Sequence, residues 1–387
     1  DTISEKTSAN GVAVDGVTLK DGAVGAAGTA TSVAGIPLFT ADNSIYTHDV
    51  SGTESTAEGN TAYGIGAMDA ITTGDYNTAI GFGALTTQTQ GEGNVAVGQA
   101  ALNANTTAGN NLAVGKSALL ANTTGTRNIA IGNRTNDLAD TENDNLAIGY
   151  ESMTGAVAGG EYNVAIGNYS LDALTSADYN TAIGYNAGTA ITTGAKNTIL
   201  GAEAGEALLS TPLNVIIGYG AGKASTTGAY NTIVGGSASQ DGVLTGNYNA
   251  IYGFESGFNL TSGTRNVLMA GKGAGYSLTS GSDNTFIGYE AGDSHDAESN
   301  NLGIGRASLG GSIAGGEYNV AIGNFSLDAL TSGDNNVAVG YNAGTSLTTS
   351  NDNVIIGYNA AENATTLAEN VVIGHEAMGT GVATSAY

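Results

Sequence analysis

The sequence predicts an all-β protein, an elongated β-solenoid or β-roll of about nineteen coils of 17–18 residues each. Three observations carry this. A five-residue phrase, Asn-x-small-aliphatic-Gly, returns nineteen times at a spacing of 17 or 18 residues, which is the mark of a stacked-repeat architecture. Glycine supplies 61 of 387 residues and charged residues only 12%, a composition far from that of an ordinary globular domain. Yet 41% of the residues are apolar and recur regularly, so the chain can bury surface and is not disordered.

The phrase begins at Asn60 and recurs through Asn77, Asn180, Asn336 and on to Asn370. Its fifth position is Gly in every copy but one, where Ala270 stands instead. A longer duplication overlies the short one: GEYNVAIGNYSLDALTS from Gly160 returns from Gly316 with one Tyr changed to Phe, nine repeats on.

The coil from Asn180 to Lys196 shows the reading element by element. Thr181-Ala182-Ile183 is short, partly β-branched and bounded by turn formers, so it is a strand. Gly184 follows where the chain turns with positive φ or meets the next coil closely. A second short strand is expected from Ala187 to Ile191, and Thr192-Thr193-Gly194 turns back towards Asn197. Such a unit hides its apolar side only by stacking, each strand pairing with its equivalent one coil away. The structural repeat positions are thus Asn77, Ile80 and Gly81, Asn180, Ile183 and Gly184, and Asn336, Val339 and Gly340. The asparagine is expected to hydrogen-bond to its equivalent in the next coil or to cap a turn. Small residues three places beyond the glycine, among them Ala67, Ala84, Ala187, Ala343 and Ala360, mark a close approach of two backbones.

Alternation places the fourth position of the phrase, Ile80 or Val339, opposite the third, Ala79 or Ala338. Both sides are apolar, so one lines the coil and the other is available for contact between chains. A core this thin is marginal alone, and a parallel homotrimer is expected. Head-to-tail joining into a filament is a further expectation for a heterologous contact that does not close. Residues 1–59 precede the array (60–387) and read as an attachment or linker segment with short strands, turns at Asp15-Gly16 and Asp21-Gly22, and small-residue sequence from Gly25 to Gly35.

The variants NTAIG, NVAVG and NVAIG resemble the head repeats of trimeric autotransporter adhesins. The fuller form NTAIGYNAG…TTG is similar to arrays in bacteriophage tail fibres and related virion appendages, and Ile3–Ser8 with Gly11–Gly22 is similar to segments of phage structural proteins. The resemblance implies a non-catalytic fibre for attachment, in a virion appendage or at the cell surface, or alternatively a bacterial adhesin or self-assembling extracellular filament. The period is longer than in the adhesin heads. No heptad stalk follows, so a self-inserting autotransporter is not expected. The start at Asp1 without a leader points to a processed or trimmed chain, or to a fragment of something longer.

Composition narrows partners and chemistry. A formal charge of −25 opposes nucleic acid and anionic membranes. No apolar run is long enough for a membrane-spanning helix, and the absence of Cys removes thiol chemistry and zinc–thiolate sites. The three histidines, His48, His295 and His375, lie far apart, and no enzyme or cofactor is expected. Acids precede the asparagine at Glu58, Asp75, Asp144, Asp178, Asp283, Asp334 and Glu369, among others, with Arg127, Lys196 and Arg265 in the same turn. This stripe is a solvated edge, or a place where divalent cations bridge adjacent coils. Tyr76, Tyr179, Tyr230 and Tyr248 stand before the asparagine, and Phe82, Tyr185, Tyr341 and Tyr358 after the glycine. They form either stacked ladders or platforms for a host-surface glycan or receptor.

Overall fold

The computed structural model describes residues 56–156, 158–311 and 315–379, and the backbone of five strands before them. Those are β1 (Val12–Val14), β2 (Val17–Leu19), β3 (Thr31–Val33), β4 (Ile36–Ala41) and β5 (Ser44–Tyr46). Strands β1 and β2 pair antiparallel, as do β3 with β4 and β4 with β5. The Asp15-Gly16 and Asp21-Gly22 turns lie outside the described residues, and of the small-residue stretch Gly25–Gly35 only β3 is described.

The array is all-β, without a helix among the described residues, and each coil contributes one strand to a parallel β-solenoid. It divides into two units, Asp1–Tyr162 and Asn163–Tyr387. In the first, β5 runs parallel to β6 (Thr61–Tyr63), and strands follow coil by coil to β11 (Leu146–Ile148). The second holds thirteen strands, from β12 (Val164–Ile166) to β24 (Val371–Ile373). Pairing is parallel and in register: Thr181, Ala182 and Ile183 lie against Thr198, Ile199 and Leu200, and so along the ladder.

The two-strand coil is not what forms. Counting the asparagine as position 0, the strand covers positions +1 to +3, and the segment expected as a second strand is a run of turns. Its cause is backbone handedness. Position +4 is Gly with φ between +115° and +142° in eighteen copies, and positions +6 and +8 again have positive φ, as at Asn186 (φ 54°) and Gly188 (φ 59°). Alternating left- and right-handed residues cannot make a pleated strand. They curl the chain, and their N–H groups bond neighbouring coils, as from Gly184 to the carbonyl of Ile166 (2.8 Å) and from Gly188 to that of Ala204 (3.0 Å).

Only glycine serves at +4. A Cβ on Gly81 would come within 2.5 Å of the carbonyl oxygen of Gly98, in addition to requiring φ near +136°. Where Ala270 breaks this rule, a one-residue insertion, Gly271, accompanies it. Strand β18 (Val267–Lys272) then runs on to six residues, and its register with β17 (Ala250–Phe254) shifts. An L-residue cannot take the mirror-region φ, so the coil absorbs Ala270 as a bulge.

The core is one side chain thick and is filled from positions +2, +8 and +11, buried in nearly every coil. In many coils their volumes compensate. Ala79, Ala96 and Ala321 at +2 accompany Leu85, Leu102 and Leu327 at +8, whereas Ile199, Ile251 and Phe286 accompany Gly205, Gly257 and Gly292. A Cβ on Gly188 would meet Ile191 and Ile199 at 3.0 Å and Leu171 at 3.3 Å. Close packing of a fixed interior permits either pattern and not both large residues at once. The +8 residue has positive φ, and no β-branched side chain occupies it in any coil.

Candidate functional site

The repeat residues Asn77, Asn180 and Asn336 form an unbroken interior ladder within each unit. From Asn60 to Asn353 the asparagines are 2% exposed or less. The backbone N–H of Asn77 donates to Oδ1 of Asn60 (2.8 Å), and that of Asn94 to Oδ1 of Asn77 (2.9 Å), with Nδ2 of Asn94 at 3.1 Å from the same oxygen. Nδ2 of Asn77 also donates to the carbonyl of Gly91 (2.9 Å), closing its own coil. Asn180 and Asn336 repeat the pattern, accepting from Asn197 (3.0 Å) and Asn353 (3.2 Å). With both amide atoms engaged, the burial cost of each side chain is met. Each of these amides thus ties its coil to a neighbouring one, with both of its polar atoms engaged.

Gly81, Gly184 and Gly340 lie at the +4 corner, and the recurrent small residues at +7, such as Ala187 and Ala343, are fully buried. Ile80, Ile183 and Val339, however, face outward: Ile80 is 41% exposed, while Ala79 beneath it is fully buried. The aliphatic column therefore lies on the surface of the single chain and the third position lines the core.

The acidic stripe divides by position. Two places before the asparagine, the side chain accepts a backbone N–H of the preceding coil: Asp75 from Glu58 (2.8 Å), Asp334 from Glu317 (2.8 Å) and, with an amide in place of the acid, Asn143 from Thr126 (2.8 Å). One place before it, Arg127 holds Asp144 through two bonds of 2.6 and 2.7 Å, and Arg265 holds Asp283 through two of 2.7 Å. The hydrogen bonds from these guanidinium groups lower the pKa values of Asp144 and Asp283. Among the described residues no group of three or more His, Asp or Glu is placed to hold a metal ion.

Two buried glutamates went unnoticed in the sequence. Glu142 accepts the N–H groups of Asp140 (2.8 Å), Thr141 (3.0 Å) and Gly159 (2.9 Å). Glu298 does the same for Asp296 (2.9 Å), Ala297 (3.1 Å) and Gly315 (3.0 Å). Each stands three places before the asparagine that opens an 18-residue coil, and its carboxylate reaches the N–H of a glycine near that coil's end. The available signal was Glu three places before the asparagine, a position otherwise held mostly by small residues.

Aromatic columns stack along the ladder. Tyr230 and Tyr248 lie 4.9 Å apart at 12°, Tyr341 and Tyr358 5.4 Å at 14°, and His375 continues this second stack at 5.2 Å from Tyr358. Thr72, Thr175 and Thr348 donate side-chain bonds to carbonyls of the next coil. Of the other histidines, His48 lies outside the described residues, and His295 is buried against Phe286, ring centroids 4.8 Å apart, with neither nitrogen partnered. Burial drives its pKa down to about 3. His295 and His375 are thus not brought together, and no nucleophile, base and oxyanion donor converge among the described residues. An open hollow is lined by Glu206, Lys223, Gln240 and Asp241, where Lys223 is neutralised by Glu203 at 2.7 Å. Comparison with protein-family models, with curated proteins and with solved structures returns no match.

Proposed function

We propose that this chain is a structural fibre segment, a stiff spacer in a virion appendage or on a cell surface that holds an attachment function at a distance. The observation that carries this is the asparagine ladder. The most buried polar groups of each coil make the same contacts with the next, so the sequence specifies extension rather than a pocket. Catalysis requires unlike groups converging on one reacting centre. Repetition supplies the reverse, like groups spread evenly along a line. Association of copies of the chain, a trimer in the first instance, belongs to the same reading, because a one-layer core gains stability when further apolar surface is covered.

Removal of whole coils tests the spacer. Deleting Asn163–Tyr318 joins Gly160-Glu161-Tyr162 to Asn319, which restores the native GEYN junction. Nine coils at the ~4.8 Å separation of paired strands amount to ~43 Å. The deleted protein should fold and show a maximum dimension shorter by about that length in small-angle scattering. A compact particle, or one whose length is unchanged, would overturn the proposal.

A further inference from the structure

The outer face of the ladder is unlike the rest of the surface. Positions +1 and +3 of the nineteen coils point away from the core, and neither carries a charged residue or histidine in any coil, although the chain bears a formal charge of −25. They are Val, Ile, Leu, Thr, Tyr, Met or, once, Ala. Ile80, Leu200, Ile322 and Ile356 are 37–44% exposed there, as are Tyr252 and Met269 at 37% and 40%. Flanking columns at −1 and +5 add exposed rings, among them Tyr179, Tyr230, Tyr185 and Tyr219.

From this face we infer a docking surface for a second copy of the same chain, sheet against sheet. The inference rests on the reading of the chain as one member of a homo-oligomeric fibre and names the surface used. In the second unit alone, thirteen strands at ~4.8 Å span ~58 Å, and three-residue strands are ~10 Å wide. That is on the order of 600 Å² for the strand columns, which the flanking tyrosine rings widen towards the ~800 Å² per partner of a stable interface. Contiguous apolar patches of this size mark interaction sites. The occupant follows from two further properties. The face repeats at the coil spacing, so a partner must offer apolar rows of the same period, as a second copy does. The strand columns bring no charge to such a contact, whereas the columns before the asparagine carry the acids and the few bases of the stripe. Parallel strands covered on both sides also read as the near-continuous apolar VAI, VII and VVI found here.

The test measures mass. Sedimentation equilibrium of the full chain should give a multiple of 38.2 kDa. Substituting Ile183→Glu with Ile322→Glu should return the mass to 38.2 kDa while the far-ultraviolet dichroism is kept, since both positions already meet solvent in the single chain. Thr193→Glu, at an exposed corner off the face, should leave the assembly intact. Because the chain has no cysteine, Ile183→Cys alone should give a copy-to-copy cross-link with a short bis-maleimide, a readout that does not depend on the glutamate variants folding. A parent chain of 38.2 kDa at all concentrations, or an assembly that the glutamates do not shift and Ile183→Cys does not cross-link, refutes the face. Either result leaves the coil-deletion length untouched, so failure of the docking surface and failure of the spacer reading are separable.

Discussion

Replacing His295 by Leu gives the sharpest prediction on stability. The imidazole sits in the core at position +11, where Leu330 and Leu347 stand in other coils, so Leu is a native solution to the same space. Both ring nitrogens lack partners, and burial lowers the folded-state pKa from 6.5 to about 3. The sign follows from proton counts. Between these values the unfolded chain binds a proton that the folded one refuses, so stability is full above pH 6.5 and falls as the pH drops towards 3. The loss is about 2 kcal/mol at pH 5 and approaches a limit of order 5 kcal/mol near pH 3, at about 1.4 kcal/mol per unit. His295→Leu removes this contribution and leaves the carboxylates unchanged. Urea denaturation of both proteins at pH 7 and pH 5 isolates it as a difference of differences. Solenoids open coil by coil, so amide exchange across Asn284–Asn300 provides the local version of the measurement. If the variant loses as much stability on acidification as the parent, burial of the neutral ring is not what governs this coil.

Three further outcomes follow from the packing. Asn180→Ala strips the acceptor of Asn197's N–H and Nδ2 (3.0 and 3.1 Å) and should cost ~2–4 kcal/mol in urea denaturation, as buried donors lose their partners. Gly184→Ala, at φ +142° and with its Cβ driven into the backbone of Gly201, should destabilise more than an ordinary Gly→Ala change and lower the melting temperature by several degrees. Gly292→Leu overfills the space beside the Phe286 ring and should cost roughly 1–3 kcal/mol or more. Adding Phe286→Ala recreates the Ala321/Leu327 pairing and should recover much of the loss. A double-mutant cycle showing additive penalties would rule out shared volume.

Much of the fold could be read before any coordinates. The period, the strand at Thr181–Ile183, the glycine corner and the stacking role of the asparagine follow from recurrence and from what Asn and Gly do in turns. The second strand misled because Ala187–Ile191 carries apolar residues suited to a strand. Its conformation is set instead by the left-handed Asn186 and Gly188. Which side of the strand lies inside was also undetermined. Alternation separates Ala182 from Ile183 without saying which is buried, and the larger aliphatic turned out to be the outer one. The deciding signal was in the sequence, in the opposed sizes of positions +2 and +8, such as Ala79 with Leu85 and Phe286 with Gly292. Reading it requires knowing that the two share one cavity. The Glu142 and Glu298 carboxylates were illegible for a related reason, since an acid in a turn looks solvated until the backbone N–H groups around it are placed.

The amide ladder also has a direction. From coil to coil, each rung gives its backbone N–H towards lower residue numbers and receives one on its Oδ1 from higher ones, so these bonds run the same way within each unit. A stack of such rungs is polar in the manner of a row of bar magnets. A surface that closes it on the low-numbered side must present an acceptor, whereas one on the high-numbered side must present donors. Two identical caps cannot satisfy both.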